Sequence, residues 1–164
     1  QRPDMNDSLD EYDFKILQHL QCNGRLSNQE LAEIIGLSTS QCSRRRIALE
    51  QNGMIQGYYA QLHPEAELQP IMGMIEIKLL QYSDDVLNRF LDFVQHENMI
   101  REVYKLTGNF DYLLKVMVRD LNEMSQLINK LTTLKIGVSN CHTSIVLERI
   151  KENYQMMNLD QSHD

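Results

Sequence analysis

The chain is poor in cysteine and in long apolar runs, and it lacks the residue clusters on which most enzyme chemistry depends. Its three cysteines, Cys22, Cys42 and Cys141, are odd in number, far apart and without any Cys-x-x-Cys spacing. That argues against a disulfide scaffold or a zinc finger and fits small buried thiols kept reduced in a cytosol. No stretch reaches the roughly 18 apolar residues that a membrane helix needs. The opening Gln1-Arg2-Pro3-Asp4-Met5 has no apolar core of a secretory signal. The expectation is a cytoplasmic protein with no membrane partner. The histidines, His19, His63, His96, His142 and His163, are scattered without partners at metal-ligand spacing, and the seven glycines form no phosphate-cradling loop. No metal, cofactor or nucleophile–base–acid triad is expected, so the sequence does not read as an enzyme.

What is present suits one ordinary domain or two small ones: 164 residues, 42% hydrophobic and 24% charged. The formal net charge of -7 discourages a nucleic-acid partner until its distribution is considered. Residues 1–60 hold six bases and eight acids, and half of those bases are the run Arg44-Arg45-Arg46, with no acid between Ser38 and Leu49. One sharp basic spot can grip phosphate locally, though weakly in a single copy.

Residues 8–53 predict three short helices. Leu9, Phe14, Ile16, Leu17 and Leu20 form a helical stripe that opens on Asp10 and Asp13 and closes at Asn23-Gly24. Ser27-Asn28-Gln29-Glu30 reads as a capping box before a second helix with Leu31, Ile34 and Ile35 on its apolar face, ended by Gly36. Ser38-Thr39-Ser40-Gln41 reads as another capping box, opening a third helix that runs to Asn52-Gly53. Two capped helices separated by so short a turn must cross steeply, as in a helix-turn-helix. At about 100° per residue, Cys42 and Leu49 mark the packed seam of the third helix, and Arg45 and Arg46 flank it with heads expected to reach outward. Ser38, Thr39, Ser40, Gln41, Ser43, Arg44, Arg45 and Arg46 are the expected duplex-DNA contacts. Arginine forks onto guanine, glutamine pairs adenine, and serine serves bases or phosphates. Ile47 falls on the outer face, where packing on the following strand is a stronger reading than contact with a thymine methyl.

Residues 54–70 read as a hinge: strand-like Met54 to Leu62, then a linker bearing Pro64 and Pro70. Residues 71–150 alternate. Strands are expected at 71–81, 100–106, 110–118 and 138–148, with helices opening at Ser83-Asp84-Asp85 and at a capping box, Asp120-Leu121-Asn122-Glu123. The α+β architecture is thus a helix-turn-helix, winged-helix-like domain followed by a ferredoxin-like βαββαβ domain. Two helices cover one face of such a sheet. The other, expected to be apolar, calls for face-to-face dimerisation, which also supplies a second recognition helix. Residues 151–164 read as a polar tail with a short helical start. At the turn Gly108-Asn109-Phe110-Asp111, glycine permits positive φ, and Asp111 opens an apolar strand where its carboxylate needs a partner: a backbone amide, a base or a ligand's ammonium.

These stretches together resemble the Lrp/AsnC, or feast/famine, family of transcription regulators. The likeness rests on Leu9-Asp10 with Asp13, Arg25 with Ser27 and Glu30-Leu31-Ala32, Gly36-Leu37-Ser38 and Cys42-Ser43-Arg44-Arg45-Arg46. It continues through Leu49-Glu50, Gly53-Met54-Ile55, Gly57-Tyr58, the run from Gly108 to Val116, and Thr143-Ser144-Ile145-Val146-Leu147-Glu148, spanning about residues 8–150. The resemblance implies a regulator that binds duplex DNA, forms homodimers assembling into octamers and responds to a small amino acid. It places the effector pocket at Gly108, Asn109 and Asp111, with Asp111 on the α-ammonium group and Tyr104 and Thr133 contributing from nearby. Two rival functions share the architecture: an amino-acid-binding assembly module without DNA binding, and a haem-precursor decarboxylase-like protein. The arginine-bearing helix favours the regulator.

Overall fold

The computed structural model describes residues 9–81, 83–133, 136–153 and 155. Residue 8, which opens the expected helical domain, and most of the expected tail, His163 included, lie outside the described residues. The chain divides into two compact units, the first running to Gln61 and the second spanning Leu62–Lys151.

Three helices build the first unit: α1 (Glu11–Cys22), α2 (Asn28–Ile35) and α3 (Thr39–Gln51). Each opens on a reciprocal capping box, Asp10 with Asp13, Ser27 with Glu30 and Ser38 with Gln41, so their first amides do not go unpaired. The turn between α2 and α3 depends on Gly36, whose φ of +76° suits glycine and lets both Gly36 and Leu37 donate to the Ala32 carbonyl. Ile16, Leu20, Leu31, Ala32, Ile35, Cys42 and Leu49 form the core. Ile34, expected among them, is half exposed, because the neighbouring positions Leu31, Ala32 and Ile35 already fill the buried face of α2.

The strand expected over 54–62 is not formed. Met54 and Ile55 pack at the edge of the helical core instead, and the Ile55 amide donates to the Leu49 carbonyl. From Gln56 the chain runs on without ladder partners.

The second unit begins with a 3-10 turn at Pro64–Ala66, then runs β1 (Ile71–Leu79), α4 (Asp84–His96), β2 (Ile100–Lys105), β3 (Tyr112–Val118), α5 (Leu121–Thr133) and β4 (Val138–Ile145). The sheet order is β2-β3-β1-β4, every neighbouring pair antiparallel. This is the expected βαββαβ arrangement, with α4 and α5 packed on one face. Val86, Phe90 and Val94 of α4, with Met124, Leu127 and Leu131 of α5, meet Ile75, Ile77, Tyr112, Leu114 and Val116 of the sheet. Leu121, expected in the α5 stripe, is exposed in its first turn. At the start of α5 the expected box is only half formed: Asp120 accepts the Glu123 amide, but the Glu123 carboxylate reaches back to the Arg119 amide.

Strand ends are shorter than expected. A bulge at Lys78/Leu79 closes β1, and β4 ends before the segment that brings Arg149 onto Glu67 in a two-pronged pair of 3.0 and 2.8 Å. The helical start expected near residue 150 does not form over residues 150–153. Nor is the second sheet face a bare apolar surface. Register pairs Met74 with Lys115 and Ser144, and Glu76 with Leu113 and His142, so charge and hydrocarbon alternate across it. Replacing Phe90, fully buried with its ring 4.8 Å from that of Tyr112, by alanine is expected to cost about 3–5 kcal/mol in urea unfolding followed by circular dichroism.

Candidate nucleic-acid interface and effector turn

Burial of Cys42 and Leu49 sets the rotation of α3, and the burial of the Cys42 thiol pushes its pKa up. The face turned away from the seam carries Ser40, Ser43, Arg44, Ile47, Ala48 and Gln51 along one shallow depression. Thr39 and Ser40 are exposed, and Ser43 is half-buried. Ser38 and the carbonyl end of Gln41 are committed to the cap: Gln41 accepts the Ser38 amide at 3.1 Å and its hydroxyl at 3.0 Å.

The three arginines part company. Arg45 turns back to α1, its Nη1 lying 2.7 Å from Asp10 Oδ2 and 2.8 Å from Asp13 Oδ1. The Asp13 amide and then Arg45 hold the Asp10 carboxyl below the usual carboxylate range, against the opposing effect of burial. Asp13 in turn raises the Arg45 pKa further. Because Asp10 is favoured in its charged form, this support is present above the ordinary carboxylate range and is lost as pH falls through the depressed value. Arg46 lies over the Tyr58 ring at 4.8 Å, donating from Nε to the Tyr58 hydroxyl at 2.9 Å and from Nη1 to the Leu26 carbonyl at 2.6 Å. The Tyr58 hydroxyl donates onward to Glu50 at 2.7 Å; burial first, then Glu50, pushes its pKa up. The expectation that Arg45 and Arg46 reach outward is therefore corrected: a guanidinium flanking an apolar seam must find acceptors, and the first unit supplies them. Among the described residues Arg44 makes no hydrogen bond or ion pair, and it is exposed. Ile47 is corrected too. No strand follows to cover it, and it stands 49% exposed.

Sequence reasoning missed Tyr58 and the inward role of Asp13. Asp13 did leave a signal, since it sits three and four residues before Ile16 and Leu17 on the packed stripe of α1. Tyr58 belongs to the Gly57-Tyr58 stretch of the family likeness, but nothing there showed its role, because its contacts cross a turn with no periodicity.

In the second unit, the turn between β2 and β3 is stitched to the end of β1. Gly108 adopts φ +111°. The Asn109 carbonyl accepts Lys78 Nζ at 3.0 Å, Asp111 Oδ2 accepts the Leu79 amide at 2.8 Å, and the Asp111 amide donates to the Ile77 carbonyl. Asp111 thus satisfies a backbone amide released by the bulge. Gly108, Asn109 and Asp111 come together; Tyr104 and Thr133 do not join them by any hydrogen bond or ion pair among the described residues. Tyr104 lies on the open sheet face, its hydroxyl donating to Glu102, which Lys115 also reaches at 3.2 Å. Tyr104 first, then Lys115, hold Glu102 below the usual carboxylate range although burial opposes them. The Thr133 hydroxyl donates to the Asn129 carbonyl of its own helix. No group of three or more metal-ligating side chains occurs, and no helix is long and apolar enough to cross a membrane, among the described residues.

A helix-turn-helix with a solvent-facing third helix, joined to an α+β unit of this topology, defines a DNA-binding transcriptional regulator with a separate ligand-binding domain. Residues 9–56 match the family described as winged helix-turn-helix DNA-binding, and residues 72–156 match the Lrp/AsnC ligand binding domain. The leucine-responsive regulatory protein of Haemophilus influenzae is 38% identical over 90% of this chain and 89% of its own length. A transcriptional regulator from Neisseria meningitidis, solved as an L-methionine complex, is 35% identical, covers 90% of this chain and 95% of its own, and superposes with a TM-score of 0.80. A feast or famine regulatory protein from Mycobacterium tuberculosis, also complexed with L-methionine, is 27% identical with a TM-score of 0.77, covering 90% and 98%. The chain belongs to the Lrp/AsnC family of transcriptional regulators.

The two kinds of arginine separate in unfolding. Arg46→Ala is expected to lower stability by about 1.5–3 kcal/mol, the range for hydrogen bonds to a charged group, whereas Arg44→Ala stays within about 0.5 kcal/mol of the parent. Thermal melts without DNA measure both.

Proposed function

We propose that this regulator reads duplex DNA through the outer face of α3, with Arg44 as its principal base contact and Thr39, Ser40 and Ser43 beside it on bases or phosphates. The observation carrying this reading is that, of the three adjacent guanidiniums, Arg44 alone is left for an outside acceptor among the described residues. Arg45 and Arg46 hold the helix at the angle from which Arg44 projects. Two copies bind together, because a single basic spot on a net-acidic chain is weak and a second linked site raises the effective concentration. The reading is of a cytoplasmic regulator, not an enzyme, that forms dimers and assembles them into octamers. Its effector is a small amino acid, for which the methionine complexes of the Neisseria and Mycobacterium relatives make L-methionine the first to test. The turn at Gly108, Asn109 and Asp111 is the effector site, with Asp111 facing the α-ammonium group.

Arg44→Ala is expected to reduce discrimination between the preferred operator and random duplex by about 1–3 kcal/mol, read by fluorescence anisotropy at fixed salt. Unchanged discrimination would refute the assignment. For the effector, Asp111→Asn retains an oxygen for the Leu79 amide but removes the charge. Its apo melting temperature is expected to stay near that of the parent. L-methionine at 100 times its dissociation constant, worth about 2.7 kcal/mol to the parent, is expected to stabilise this variant far less. An equal thermal shift in both proteins would remove Asp111 from the site.

A further inference from the structure

Ile47 has no structural task that explains it. It is β-branched and apolar, 49% exposed, on a helix whose seam is already closed by Cys42 and Leu49. Such a residue is a poorer helix former than the straight-chain polar residues that ordinarily fill a solvated face. Its position is informative. It lies one turn beyond Arg44 on the same outward stripe, with the small Ala48 beside it and Ser43 before it. Side chains three apart on a helix stand about 5–6 Å from each other at Cβ. Base pairs rise about 3.4 Å, so these two side chains meet base pairs one or two steps apart.

An apolar side chain cannot read the donors and acceptors of the major groove. The feature there that it can recognise is the C5-methyl group of thymine, which the other DNA bases lack. Ala48 adds no bulk that would hold Ile47 off the groove floor. We propose that Ile47 is a specificity-determining residue that buries a thymine methyl within two base pairs of the guanine gripped by Arg44. Each half-site of the operator therefore contains a guanine and a thymine in that close spacing, read by one turn of α3. This inference rests on the reading of α3 as the recognition helix, and its test separates the two.

The full-length protein first selects its preferred duplex from a random pool. Each thymine in that duplex is then replaced singly by deoxyuridine, which deletes the methyl and keeps every hydrogen-bonding group. For the parent protein, one thymine per half-site is expected to be sensitive, with affinity falling about fourfold for each methyl removed, the factor that corresponds to burying one methylene-sized group. Ile47→Ala is expected to bind the thymine duplex more weakly than the parent does and to be indifferent to deoxyuridine at that position. The substitution on the DNA leaves the protein's fold untouched, and the melt of Ile47→Ala checks the other arm. A parent with no sensitive thymine, or an Ile47→Ala variant that keeps the parent's sensitivity, overturns the inference while leaving the recognition-helix reading intact if Arg44→Ala still loses guanine discrimination. If Arg44→Ala retains that discrimination, or the parent enriches no sequence, the reading beneath the inference fails with it.

Discussion

The rotation of α3 about its own axis is the constraint on which the DNA-binding surface depends. Cys42 and Leu49, both buried, lock that rotation against α1 and α2. Once it is fixed, residues flanking the seam cannot leave charges uncompensated at the margin of the core. Arg45 therefore takes Asp10 and Asp13, and Arg46 takes the Leu26 carbonyl and Tyr58. What projects into solvent is what the seam excludes, Arg44 and Ile47. Asp10 and Asp13 share the one guanidinium of Arg45, which offsets part of their charge where they lie.

In the second unit a comparable economy operates at one turn. The bulge that ends β1 frees the Leu79 amide, and Asp111 receives it. Lys78, on the other side of the same bulge, donates to the Asn109 carbonyl. The turn is held by groups of opposite charge, Lys78 on β1 and Asp111 just before β3, and its shape is tied to the sheet. The open face likewise departs from a plain apolar surface. Glu102, Lys115 and Tyr104 form one network there, and Glu76 lies 3.3 Å from His142. These charges interrupt the hydrocarbon of Met74 and Leu113 on that face.

Much of this was legible in advance because its causes are local. Ser27 with Glu30 and Ser38 with Gln41 announce their helices through spacing alone, and Gly36 announces the break. The alternation of strands and helices after residue 70 reads correctly for the same reason. Segment 54–62 misled because its composition suits a strand, while a strand also requires a neighbour with free backbone groups, and none is paired with it. Ile47 misled for a related reason: its expected cover was that strand. At the turn between β2 and β3, sequence reasoning could say that Asp111 needed a partner but not that the Leu79 amide is one, because the bulge that releases that amide arises from strand register.

By itself the sequence determined the capped three-helix unit, the order of the second unit's elements and the seam of α3, since periodicity and caps act over a few residues. Only the tertiary structure decided which of three consecutive arginines is available to a partner. Asp13 and Arg45 stand 32 residues apart, and Leu26 and Arg46 stand 20 apart. Those pairs become neighbours once the hydrophobic seam has brought their helices together, and a linear pattern of residues carries no measure of that approach.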